Sequence, residues 1–360
     1  MGSKGELGGL PVVWSASCLL HEPAGEVWLG QRITGTETPD RAAVILAAVS
    51  EAGASVCPPA PHDPAALTAV HEPALIKHLS TIWADWVAAG YPAEYGRDRV
   101  VPYVFPTAAL LGGQPARLPA SPHAQTGLFC YDTMTLVGPG SWEAIRAAAD
   151  CARSAAGLVF DRQPLAYALC RPPGHHATAA GYGGSCYLNN AAIAAEALRR
   201  AGAARVAIAD IDAHHGNGTQ SIFYDRADVL YASVHVDPGA GWFPHYLGFA
   251  DERGNGAGLG FTHNLPLAPG AGDDLWLAAV GEMCARIRAY QPDALVLSLG
   301  VDAACSDPES PLRVTAAAYR EAGGLIGGLG PVAVIQEGGY DLATLGEYVV
   351  ATLAGLVAAG

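Results

Sequence analysis

Short unbroken apolar runs alternate along this chain with longer Ala-rich stretches whose polar residues recur at helical spacing. The spacing predicts helices over residues 41–52, 142–156, 190–201, 275–290 and 316–328. The apolar runs at 205–212, 229–235, 293–300 and 331–337 are too short for helices and rich in Val, Ile and Leu, which predicts buried strands. Strand and helix in alternation imply an α/β fold, a mostly parallel sheet with helices on both faces. No internal repeat and no linker interrupt the pattern. Residues 1–10 read as a flexible tail, 11–360 as a single domain, and the Pro-rich, irregular stretch 91–127 as an insertion.

Composition narrows the classes of function. Of 360 residues, 51% are apolar and 15% charged, which predicts a sizeable core. The 20 Lys and Arg stand against 34 Asp and Glu, a net charge of −14. Such a surface repels phosphate backbones, so no nucleic-acid partner is expected, and it favours small cations. The eight cysteines show no C-x-x-C spacing and no disulfide framework. No leader-like start is present and no apolar run reaches the ~20 residues of a membrane span, so the expectation is a soluble, cytoplasmic protein with no membrane partner.

The chemistry is concentrated at strand ends, where ligand sites of open α/β sheets gather. Asp210-Ile-Asp212-Ala-His214-His215-Gly-Asn217-Gly terminates one apolar run. Side chains alternate along a strand, so Asp212 and His214 share a side and can bind one ion. A third ligand must come from elsewhere, and Asp302 ends another strand at the equivalent height. One imidazole and two carboxylates leave a position open for water and substrate, as catalytic zinc requires, although the same set also suits Fe²⁺. The competing reading is a solvated loop with a capping aspartate. Arg171-Pro-Pro-Gly-His175-His176 places two imidazoles on a stiff loop, where they can serve as base and acid. Glu337-Gly-Gly-Tyr340 follows the last strand, and a phenol there can donate to a developing oxyanion, though Gly-Gly-Tyr alone is an ordinary turn.

Together these motifs resemble the arginase–deacetylase superfamily, and within it class II histone deacetylases and the bacterial acetylpolyamine amidohydrolases. Trp83-Ala-Asp-Trp-Val-Ala-Ala-Gly-Tyr91 and Phe223-Tyr-Asp-Arg-Ala-Asp-Val-Leu230 look especially like the acetylpolyamine branch. The similarity runs from about Val12 to the C-terminal helix, with the motifs in family order. The resemblance implies a single-domain sheet of about eight strands and zinc on Asp212, His214 and Asp302. It also implies His176 as general base, His175 as its partner held by Asp210, and Tyr340 polarising the substrate carbonyl. Asn217 stands where class I relatives carry Asp, and a neutral partner raises the His176 pKa less than a carboxylate does. Gly184 falls where a backbone carbonyl receives the substrate amide N–H. A structural K⁺ or Na⁺ site would use Asp210, Asp212, His214, Ser233 and Val234.

Several positions depart from the family. Ser185 replaces an aromatic wall of the acyl-lysine tunnel, leaving Phe243 as the opposite wall. Glu309 falls at the tunnel mouth, where most relatives are apolar and a polyamine deacetylase carries Glu; an exposed loop glutamate is the other reading. The acidic residue that acetylpolyamine amidohydrolases use for the distal amine falls at Met134. The expected function is removal of acetyl groups from small, polyamine-like acetylated amines, by a homodimer formed through 91–127. The alternatives are a protein acetyl-lysine deacetylase, a non-catalytic acetyl-ligand binder, and an arginase-type ureohydrolase. The last needs two metals, whereas only one dense ligand motif is present.

Overall fold

Eight strands form the central sheet of the computed structural model, which describes residues 5–94 and 96–360. In chain order the strands are β1 (Pro11–Val13), β2 (Glu26–Trp28), β3 (Gln31–Ile33), β4 (Ser55–Cys57), β5 (Leu165–Ala168), β6 (Val206–Asp210), β7 (Val229–Val236), β8 (Thr262–Leu267), β9 (Ala294–Leu299) and β10 (Val332–Gln336). The sheet runs β4-β1-β5-β10-β9-β6-β7-β8, and every pairing in it is parallel. Strands covered on both faces are mostly apolar, as in β7, where all eight residues are buried and Ser233 and His235 are the polar ones. The two-residue alternation divides each strand between two cores: Ala207 and Ala209 of β6 face one apolar cluster, Val206 and Ile208 the other. Helices Pro39–Glu51, Asp273–Tyr290, Ala316–Gly327 and Leu345–Ala359 close the first core. Helices Pro73–Ala88, Ser141–Phe160 and Asn190–Ala201 close the second.

The four apolar runs read as strands are β6, β7, β9 and β10, each one to three residues shorter or longer than its run. β1, β4 and β5 carry three or four residues apiece, too few for a period to show, and β8 is interrupted by Pro266. The tail expected over 1–10 is corrected for its described part. Leu7 and Leu10 are buried in the first core, and the Leu7 N–H donates to the Ala52 carbonyl at 3.0 Å, because docking beside helix Pro39–Glu51 removes two leucines from water. The first four residues lie outside the described residues. The described residues of 91–127 add no strand to the sheet; they carry the short helix Ala108–Leu111 and most of helix Pro122–Phe129. β2 and β3 form a separate antiparallel hairpin whose Leu29 and Gly30 both take left-handed φ, at 47° and 80°. Among the described residues no helix is long and apolar enough to cross a membrane.

Parallel pairing aligns all eight carboxyl ends along one edge. The four motif-bearing strands, β5, β10, β9 and β6, are consecutive neighbours in the middle of the sheet. Their trailing loops therefore converge on a single place.

Candidate active site

Asp212, His214 and Asp302 meet at the end of β6 and β9, with one ligand atom from each within 4.8 Å of the others. His214 Nδ1 lies 2.9 Å from Asp302 Oδ2 and 3.4 Å from Asp212 Oδ1. The other oxygens are tied to backbone: Asp302 Oδ1 accepts the Ala213 N–H at 2.7 Å and Asp212 Oδ2 accepts the Gly338 N–H at 2.8 Å. Glycine is required at 338 because a Cβ would stand 2.6 Å from Asp212 Oδ2 and 2.8 Å from Asp302 Oδ2. Burial, then the charge of Asp212, pushes the Asp302 carboxyl up to about 7. Two buried carboxylates converging on one imidazole are costly unless a cation lies between them, so the donor set fits a divalent ion.

The two histidines after β5 stand side by side, ring centroids 4.1 Å apart, in opposite electrostatic surroundings. His175 Nδ1 is 3.1 Å from Asp210 Oδ2. Burial alone would lower its pKa, but the carboxylates of Asp212, Asp210 and Glu337 outweigh that and raise it to about 10. His176 Nδ1 is 2.7 Å from Asn217 Oδ1. Burial and then the neighbouring His175 and His214 hold His176 well below the usual imidazole range. An amide oxygen only accepts, so His176 carries its proton on Nδ1 and leaves Nε2 with a free lone pair. The loop itself is pinned by Glu337, whose Oε2 accepts the N–H of Gly174 at 2.7 Å and of His175 at 3.1 Å. His175, Cys186 and Glu337 form a second buried cluster, but Glu337 is occupied as that anchor.

Tyr340 borders the same cavity as His176 and His214. Burial raises its phenol well above the ordinary range, so it stays a neutral donor. Two side chains that sequence reading passed over hold it. Arg41 lies over its ring at 4.6 Å and donates to the carbonyls of Gly339 and Glu337, at 2.5 and 2.7 Å. Asp307 Oδ2 accepts the Tyr340 N–H at 2.6 Å, while its Oδ1 accepts the Glu309 N–H at 3.0 Å.

The cavity encloses about 410 Å³. Phe243 stands edge-on to His176, centroids 4.8 Å apart, and a Cβ on Gly184 would fall 2.8 Å from the Phe243 ring. Ser185, Met134 and Glu309 also line it, and so do Glu26 and Trp28 of the β2–β3 hairpin. Glu309 is half-buried and accepts from Thr36 Oγ1 at 2.8 Å. Glu26 was absent from the sequence reading, because Glu26-Val-Trp-Leu-Gly-Gln-Arg-Ile33 neither alternates nor carries an Asn-Gly or Asp-Gly turn. Burial, then Glu309, Asp132 and Glu37, push its carboxyl up to about 7. Ser233 and Val234 of β7 lie beside the Asp210–His214 run, with Asp210 and Ser233 in register. A larger cavity, about 710 Å³, lies between helices Ser141–Phe160 and Asn190–Ala201 and holds none of the motif residues.

Residues 35–356 match the histone deacetylase domain family. Acetylpolyamine amidohydrolase 1 of Pseudomonas aeruginosa is 43% identical over 345 residues, spanning 95% of this chain and 97% of that protein. Acetylpolyamine amidohydrolase of Mycoplana ramosa is 40% identical over 347 residues, 96% and 99% of the two chains. The crystal structure of acetylpolyamine aminohydrolase from Burkholderia pseudomallei superposes with a TM-score of 0.91 at 39% identity, covering 98% of this chain and 99% of that one. The chain belongs to the histone deacetylase family and is a hydrolase with that family's single-domain α/β fold.

Proposed function

We propose that the protein is a zinc-dependent amidohydrolase that removes the acetyl group from small acetylated amines carrying a second, cationic amine, acetylpolyamines first. The observation that carries the choice of substrate is the pair of carboxylates, Glu26 and Glu309, lining the cavity that His176, His214 and Tyr340 also line. An ammonium entering beside them gains charge attraction that a neutral peptide does not. The names of the relatives that cover nearly the whole chain support the same substrate class.

Asp212, His214 and Asp302 would hold the metal; when bound, it supplies Lewis-acid polarisation of the amide carbonyl and acidifies a water. His176, neutral and with Nε2 free, takes the proton of the attacking water and returns it to the departing amine. His175 stays protonated against Asp210 and keeps the imidazole pair in place. Tyr340 donates its phenolic hydrogen to the oxygen that gains negative charge. Gly184 receives the amide N–H, and Phe243 and Ser185 flank the methylene chain of the amine.

A K⁺ or Na⁺ bound among Asp210, Asp212, His214, Ser233 and Val234 completes the reading. So do a cytoplasmic location and a homodimer formed through 91–127, whose Tyr103, Leu110 and Leu118 are exposed apolar side chains. The test is a turnover screen of acetylated polyamines, acetyl-lysine peptides and acetylated amino sugars, with metal analysis of the same preparation. Preference for acetylpolyamines with about one zinc per chain supports the proposal. Turnover of peptides alone selects the protein deacetylase, iron in the site replaces zinc, and binding without turnover selects the acetyl-ligand binder.

A further inference from the structure

The Gly184 carbonyl and the Ser185 N–H are the two ends of one peptide group. Among the described residues only the bonds before Pro172 and Pro244 are cis, so these two groups point in opposite directions. The Ser185 N–H donates to Thr135 Oγ1 at 2.9 Å. Thr135 Oγ1 donates in turn to Asp132 Oδ2 at 3.1 Å, and that same oxygen accepts the Gly184 N–H at 2.6 Å. Asp132 Oδ1 is anchored separately, accepting the N–H of Met134 and of Thr135 at 2.9 Å each. One carboxylate–hydroxyl unit thus holds two successive peptides whose φ angles, +58° at Gly184 and +61° at Ser185, are both left-handed. Serine rarely adopts that conformation, so the loop needs such ties to stay in it. Thr135 is 1% exposed and lies behind the loop. In front, a Cβ on Gly184 would stand 2.4 Å from His176 Cδ2, which marks the substrate side.

We propose that Thr135, anchored by Asp132, is a positioning residue that turns the Gly184 carbonyl into the cavity to accept the N–H of the scissile amide. The inference rests on the deacetylase reading above. The chain from peptide N–H to hydroxyl to carboxylate also polarises the Gly184–Ser185 peptide and makes its carbonyl a stronger acceptor. The arrangement selects acetamides of primary amines, which keep an N–H, over esters and tertiary amides, which have none.

The experiment compares wild type, Thr135→Val and Thr135→Ser on two isosteres, monoacetylated diaminopentane and aminopentyl acetate. Valine matches threonine in shape and lacks the hydroxyl; serine restores it. Thr135→Val should lower kcat/KM on the amide about ten- to a hundredfold, the worth of one well-placed hydrogen bond to a polarised group. Turnover of the ester should fall less than about threefold, and Thr135→Ser should recover most of the amide activity. Equal losses on amide and ester mean that Thr135 only supports the fold, and overturn the proposal, as does no loss on either. A wild-type protein that hydrolyses neither compound overturns the deacetylase reading instead, and is distinguished by that.

Discussion

Replacing Glu309 by glutamine tests the electrostatic basis of substrate choice with little change of shape. The glutamine oxygen can still accept from Thr36 Oγ1, now at 2.8 Å, so the loop after β9 should keep its course while its charge is lost. A carboxylate and an ammonium ~4 Å apart attract by about 4 kcal/mol at an effective dielectric of ~20. Glu309 is half-buried, and dehydration and screening leave roughly 1–2 kcal/mol, about ten- to thirtyfold in kcat/KM. The assay is the ratio of kcat/KM for an acetylpolyamine to that for a neutral acetamide of equal length, in wild type and variant. Taking the ratio cancels ionisations that act on both substrates alike. The ratio should fall ten- to thirtyfold in Glu309→Gln and shrink with added salt in wild type.

The pH profile adds an independent check. Burial and the charge of Glu309 raise the Glu26 carboxyl to about 7, so Glu26 is neutral below that pH and charged above it. The cationic-to-neutral ratio should therefore rise with pH between about 6 and 8, and the midpoint should move down in Glu309→Gln, where one raising charge is gone. A ratio that is unchanged by the mutation and flat with pH would refute the reasoning and leave both glutamates as surface residues.

Asp302→Ala should abolish metal retention and turnover while circular dichroism and chromatographic behaviour stay those of a folded protein; full activity in the metal-free variant rules the site out. Tyr340→Phe keeps the ring under Arg41 and removes one hydroxyl, so kcat should fall by roughly 10²–10³ with far less change in KM. A kcat within a factor of a few of wild type would make the tyrosine structural. Light scattering at micromolar concentration should give the mass of a dimer, and truncation of Leu110 and Leu118 to serine should shift it toward monomer; a monomeric wild type rejects the interface at 91–127.

Much of the fold and of the site can be read directly from residue order. A strand buried on both faces must be mostly apolar, which is why β6, β7, β9 and β10 stand out. Parallel pairing sends their polar endings to one edge, so Asp212, His214, Asp302 and Tyr340 are legible as neighbours from motif and strand end, while His175 and His176 follow the short β5 and are legible by their motif alone. Local chemistry and periodicity suffice for the first four because each sits within four residues of the end of a strand with its own pattern. Nothing comparable marks Glu26, Arg41, Asp307 or the Thr135–Asp132 unit. They lie on a hairpin, a helix face and loops, all but Asp307 far from the motifs in sequence, and their roles rest on hydrogen bonds or charges that only the packed chain brings within reach. The buried Leu7 and Leu10 make the same point from the opposite side, since a Gly-rich opening reads as a tail until a docking surface exists for its two leucines. Local sequence determined which groups could do the chemistry; the tertiary structure decided which side chains orient them and what charge a substrate meets on its way in, because those are long-range contacts with no period to betray them.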